Sequence, residues 1–179
     1  MASHSPLDES GFGGDVPTAN GEDHGPQVGV ISQYVKDLSF ENPNAPQVYQ
    51  WQSQPKIDVQ FNIGSQKVGD DVYEVALKVE ISATADAVEG QGGGAAFAVE
   101  LVYAGLFALR NIPDDHLQPF LLAEAPRILF PFARRVIADA VQDGGFPPLY
   151  LEPIDFAALY VAQADQPQLG AMSEPAGQA

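Results

Sequence analysis

Carboxylates at a strict two-residue spacing are the first chemistry the chain offers. In "YVKDLSFENPNAP", Tyr34 to Pro46, the residues Asp37, Ser39 and Glu41 take alternate positions of an otherwise apolar run that stops at prolines. Residues two apart in an extended chain share a face. Asp37, Ser39 and Glu41 therefore point one way, with Tyr34, Leu38 and Phe40 expected on the other. Alternation by itself requires only one wet and one buried face, but a wet face made of acids can also dock a basic partner.

The remaining candidates for chemistry reduce to local structure. "EGQGGGAAF" is glycine-rich like a phosphate loop, yet no Lys-Ser/Thr follows it, and it lies between two strand patterns instead of opening a helix. A hairpin turn is the expectation there. His4 and His24 fall in a polar N-terminal stretch, which leaves His116 without a second His or Cys at metal spacing. The pairs Asp70/Asp71 and Asp114/Asp115 stand where a strand and a helix begin, as turn and cap residues do. No Ser or Thr has a nucleophile's context. A binding protein without catalytic residues, cofactor or metal is expected.

Charge and composition narrow the partners. The 179 residues carry a net charge of -16, and all eight Lys and Arg lie between Lys36 and Arg135. Such a balance argues against nucleic acid and anionic membrane as partners and suits a basic protein. With no Cys, disulfides and thiolate metal sites are excluded. The opening "MASHSPLDESGFGG" has no basic and then apolar leader pattern, and no later apolar run is long enough for a bilayer. A soluble cytoplasmic protein without membrane insertion is expected.

The elements that must position the acids follow from hydrophobic period. Residues 1–26 and 166–179 lack periodicity and are rich in Gly, Ser, Pro and acids; they are expected to be a disordered extension and a flexible tail around a folded unit of 27–165. "KIDVQFNI" puts Ile57, Val59, Phe61 and Ile63 on one face. "VYEVALKVEISA" does the same with Tyr73, Val75, Leu77, Val79 and Ile81, and the two form a hairpin across "GSQKVGDD". "AAFAVELVYAGLFAL" aligns Phe97, Val99, Leu101, Tyr103, Phe107 and Leu109, with Ala98 and Glu100 opposite. Four such strands make an antiparallel sheet with an oily face that needs cover.

Two helices follow to provide it. The first starts at "IPDDH", where Asp114 or Asp115 can cap it, and presents Phe132, Val136 and Ala140 with Leu129, Ile137 and Val141 beside them. Pro126 and Pro131 should kink or break it, and Gly144 and Gly145 stop it. "IDFAALYVAQA" is a second, short helix capped by Asp155. The class is α+β: a four-stranded antiparallel sheet followed by two helices packed on one face.

Three stretches in this order and spacing, "KDLSFENPNAP" (Lys36 to Pro46), "DDVYEVALKVEISA" (Asp70 to Ala83) and "ILFPFARRVIADAVQDGGFPPLYLEPIDFAALY" (Ile128 to Tyr160), resemble the SecB family of protein-export chaperones. The resemblance runs from Val28 to about Ala164. It implies a cytoplasmic homotetramer, a dimer of dimers, that holds unfolded secretory preproteins without ATP and passes them to SecA, the translocation motor. By motif position it implies that Asp37, Glu41, Ala98 and Glu100 dock SecA, with Ala98 small where a larger aliphatic is expected. It also favours a client groove formed by Val48, Tyr49 and Trp51 of the "APQVYQWQSQP" stretch with Phe120 and Leu121 of the first helix. The competing view of those aromatics is a lid packed on the sheet. Rival functions are a SecB-like chaperone of a toxin–antitoxin pair, against which the retained acids argue, and a small-molecule carrier.

Overall fold

Alternating apolar residues draw four segments into strands, and a helical stripe then covers one side of the sheet they make. The computed structural model describes residues 24–90 and 92–164. In chain order these form β1 (Gln27–Glu41), β2 (Lys56–Gly69), β3 (Val72–Ala85), β4 (Gly94–Arg110), α1 (Asp114–Pro119), α2 (Ala125–Asp143) and α3 (Phe156–Ala164). The sheet order is β1-β4-β3-β2, antiparallel throughout. The expected tails lie outside the described residues, apart from His24 to Pro26 ahead of β1.

The inner face is the predicted one on three strands. Val75, Leu77, Val79 and Ile81 of β3 and Phe97, Val99, Leu101 and Phe107 of β4 are buried under α2. Tyr34 departs from expectation. The register jumps from Val35 opposite Tyr103 to Asp37 opposite Val102, so Lys36 is an extra residue in β1. A bulge of this kind inverts the phase of the strand, and Tyr34, opposite Ala104, shares the outer face with Asp37, Ser39 and Glu41.

The β2–β3 hairpin is tighter than expected. Strand pairing continues through "GSQKVG" to Gly69, leaving only Asp70 and Asp71 as the turn. Asp71 takes φ 54°, a left-handed conformation that Asp tolerates in tight turns.

The helical region also corrects two expectations. Neither Asp114 nor Asp115 caps α1: the cap position falls on Pro113, whose carbonyl accepts from the His116 and Leu117 amides. The proline's extended backbone ends the loop one residue earlier, so both acids lie in the first turn, where their charge suits the amide-rich end. The break comes ahead of Pro126, as a π-helical turn over Phe120–Glu124 in which the Ala125 amide reaches back to Phe120. Pro126 then occupies the first turn of α2, where its missing amide is least costly, while Pro131 is carried inside the helix.

The stripe of α2 that faces the sheet is Leu129, Ala133, Ile137 and Val141. Phe132 lies on the neighbouring stripe and is 49% exposed, stacked on Tyr103 with ring centroids 6.4 Å apart. Gly144 and Gly145 stop α2 as expected. The Gly145 and Phe146 amides return to the Gln142 and Val141 carbonyls, with Gly145 at φ 84°, the Schellman pattern of a helix end. Asp155 caps α3 through its carboxylate, 3.0 Å from the Ala158 amide.

Candidate functional site

The sheet has two usable faces with opposite chemistry. On the outer face β1 and β4 align Glu41 with Ala98, Ser39 with Glu100 and Asp37 with Val102. Asp37, Glu41, Ala98 and Glu100 are thereby brought onto one surface, though they come from strands more than fifty residues apart. Ala98 lines a hollow of about 280 Å³ together with Glu41, Asp58, Glu80 and Glu100.

These carboxylates are not equivalent. Asp37 and Glu41 make no ion pair among the described residues, whereas Glu100 accepts from Lys78 at 2.9 Å. The same ammonium lies 3.2 Å from Glu80. Glu100, and then Glu80, hold the lysine's pKa above its ordinary value.

The inner side is apolar. Val48 is 6% exposed and Leu121 2% exposed, and both pack into the core, so of the five residues expected to line a groove these two lie beneath the surface. Tyr49 is 51% exposed, yet anchored: its hydroxyl donates to the Gly144 carbonyl at 2.8 Å and accepts from the Asn42 amide at 2.7 Å, and its ring lies 5.6 Å from Phe146. Trp51 is half-buried beside Gly92. Phe120, half-buried, meets Phe107 edge-on at 5.9 Å and borders an apolar hollow of about 540 Å³ with Tyr160 and Val161 of α3.

The two halves of the expected groove are not adjacent. Tyr49 reaches Phe97, near the start of β4, through Phe146, while Phe120 touches Phe107 near its end. Ten strand residues separate these points, roughly 30 Å. Between them runs the inner edge of β2, where Ile57 is exposed and Val59, Phe61 and Ile63 are half-buried. The sequence placed these residues inward but carried no sign that α2 would leave an edge strand partly uncovered.

A second apolar surface lies on the opposite edge. Val28, Val30, Val35 and Leu38 face inward on β1, yet each is exposed, and Val35 lies opposite Tyr103, the stacking partner of Phe132. Among the described residues no group of His, Cys, Asp or Glu is arranged to hold a metal ion, and no described helix is long and apolar enough to cross a membrane. His116 is exposed, with Asp115 3.7 Å away.

The profile of the family described as "Preprotein translocase subunit SecB" matches residues 21–167. The chain is similar to Protein-export protein SecB of Rhizorhabdus wittichii, 69% identical over 160 residues, covering 89% of this chain and 93% of that one. It is also similar to Protein-export protein SecB of Zymomonas mobilis, 65% identical over 157 residues, covering 88% and 92%. Among solved structures, a SecB-like chaperone of Mycobacterium tuberculosis in complex with an antitoxin peptide aligns with a TM-score of 0.58 at 15% identity, over 71% of this chain and 90% of that one, a likeness of fold.

Proposed function

The chain belongs to the SecB family of protein-export chaperones, and from that premise we propose that it acts in the cytoplasm as a homotetramer, holding unfolded preproteins without ATP and passing them to SecA. The observation that carries this reading is the two-sidedness of the sheet. An acidic, mostly unpaired surface on one side and an apolar strip on the other allow a motor and a client to be bound at once.

In this reading Asp37, Glu41 and Glu100 contact SecA around the Ala98 hollow. Tyr49, Trp51 and Phe120 contact clients, joined by the open inner edge of β2, with Val48 and Leu121 as their support. Self-association as a dimer of dimers covers the exposed β1 residues and Phe132, since a patch of that kind on a soluble chain calls for a partner.

Reversing all three acids (D37K, E41K, E100K) tests the docking assignment. SecA affinity should fall, the wild-type interaction should weaken with added salt, and suppression of client aggregation should persist. Light scattering on the same variant should still report a tetramer. Unchanged SecA affinity would sink the assignment, and a monomer at micromolar concentration in the unmodified protein would sink the assembly.

A further inference from the structure

Glu74 is the one buried charged residue among the described residues, at 8% exposure. A buried carboxylate needs partners, and these come from both edges of the sheet. On β1, the Tyr34 hydroxyl donates to Oε2 at 2.5 Å and the Lys36 ammonium to Oε1 at 2.6 Å; on β2, the Gln66 amide donates to Oε1 at 2.9 Å. Tyr34 reaches across β4 because its register row is small: Ala104, then Ala76, then Gly64. One carboxylate on β3 thus ties three strands together across the outer face.

Lys36 is the extra residue of the second of two bulges in β1, the first of which inserts Ile31. Before Lys36, residues 32–35 pair with 106–103; after it, 37–41 pair with 102–98. Without the insertion Asp37, Ser39 and Glu41 would turn inward, and Leu38 and Phe40 would turn out. Apolar burial holds this phase at one point only in the single chain: Phe40 stacks on Phe97 at 6.1 Å, while Val35 and Leu38 are 45% and 43% exposed on the inner side. The Lys36–Glu74 contact also neutralises the lysine adjoining Asp37.

We propose that Glu74 is a positioning residue for the docking face: by holding Tyr34 and Lys36 it keeps the bulge in place and so keeps Asp37 and Glu41 on the outer surface. The role in docking rests on the function proposed above; the role in strand phase does not.

The two are separable by experiment. The chain has no cysteine, so S39C with E100C, directly opposed in register, forms a disulfide under mild oxidation only when the strand is in phase. The yield should drop severalfold when E74Q or K36M is added, and return in the charge swap K36E/E74K. In chains without the added cysteines, E74Q and K36M should lower SecA affinity about tenfold, with unchanged tetramer mass, and the swap should recover it. Full cross-linking in both E74Q and K36M overturns the proposal. Lost cross-linking with undiminished SecA affinity supports the clasp and overturns the docking assignment. Should E74Q fail to fold, Y34F, which keeps the ring and removes one donor, decides: its cross-linking yield must fall.

Discussion

Lys78 on β3 holds Glu100 on β4 with a 2.9 Å ion pair across the outer face, in the middle of the acidic surface. Glu80 stands directly opposite Glu100 in register, a like-charge pair that by itself disfavours the sheet. Lys78, one step along, bridges the two. The most central acid of this face is therefore already engaged, and the face is less negative than its count of carboxylates implies.

Replacing Lys78 by Met should expose both glutamates. SecA affinity should rise by about two- to fivefold at low ionic strength, and the gain should vanish in high salt as exposed charges are screened. Unchanged or lower affinity at low salt would mean that Glu100 is not a contact. Thermal unfolding of the same variant should shift slightly downward, because the Glu80–Glu100 repulsion returns.

Tyr49 and Trp51 divide the lid role from the client role. The Tyr49 hydroxyl ties the crossover segment to the end of α2, so Y49F should cost about 0.5–1.5 kcal/mol of stability while leaving affinity for a permanently unfolded client unchanged. W51A removes apolar area from the strip, and should weaken several unrelated clients alike, with the tetramer intact. Client affinity per folded molecule that survives W51A would leave both aromatics as structural residues.

Stability should respond to pH through the Glu74 cluster. Lys36, then Tyr34, donate to the carboxylate and hold its pKa below the ordinary value. Its contribution is present above the unfolded carboxylate value of about 4.3 and is lost as pH falls through the lower folded value. Hydrogen bonding to Glu74, and then burial, push the Tyr34 phenol up to about 12. Its contribution is present below the unfolded value of about 10 and is lost as pH rises through about 12. The melting-temperature gap between wild type and E74Q should be constant from pH 6 to 8 and close below about pH 4. Y34F should flatten the alkaline limb. A gap that persists into strong acid would rule out an ionised Glu74 as its cause.

Most of the sheet was legible because alternation is a local property. The inward sets on β2, β3 and β4 are those expected, and Ala98 and Glu100 are opposite them as read. Tyr34 differs from expectation because a bulge leaves no mark in the pattern: Tyr34 and Leu38 share a parity, and the inserted Lys36 is known only from the pairing of its neighbours with β4 and its own contact with Glu74 on β3. Phe132 and Leu129 lie on adjacent stripes of one helix, and period alone does not choose which faces the sheet; the residue left outside belongs to the apolar surface assigned here to assembly. Val48 sits in a polar, proline-bounded stretch that reads as loop, yet a short 3-10 turn buries it. The distance between Tyr49 and Phe120 is a tertiary quantity, set by which ends of β4 the two segments meet.

The approach of α2 to the sheet depends on a position with no side chain. Gly105 on β4 lies beneath Leu129, and a Cβ at that position would come 2.8 Å from the Leu129 Cδ2 and 3.0 Å from the Phe107 ring. Both neighbours are fully buried, so neither has free space to yield. G105A should therefore destabilise the fold by about 1–3 kcal/mol through overpacking. L129A alone should cost about 2–5 kcal/mol by leaving a cavity. In the double variant the added methyl occupies part of the space vacated by the leucine, so the combined loss should be clearly smaller than the sum of the two single losses. Denaturant unfolding of the four proteins at matched concentration gives the coupling. Strict additivity would show that Gly105 and Leu129 are not in contact, and the helix would have to approach the sheet differently from the way described.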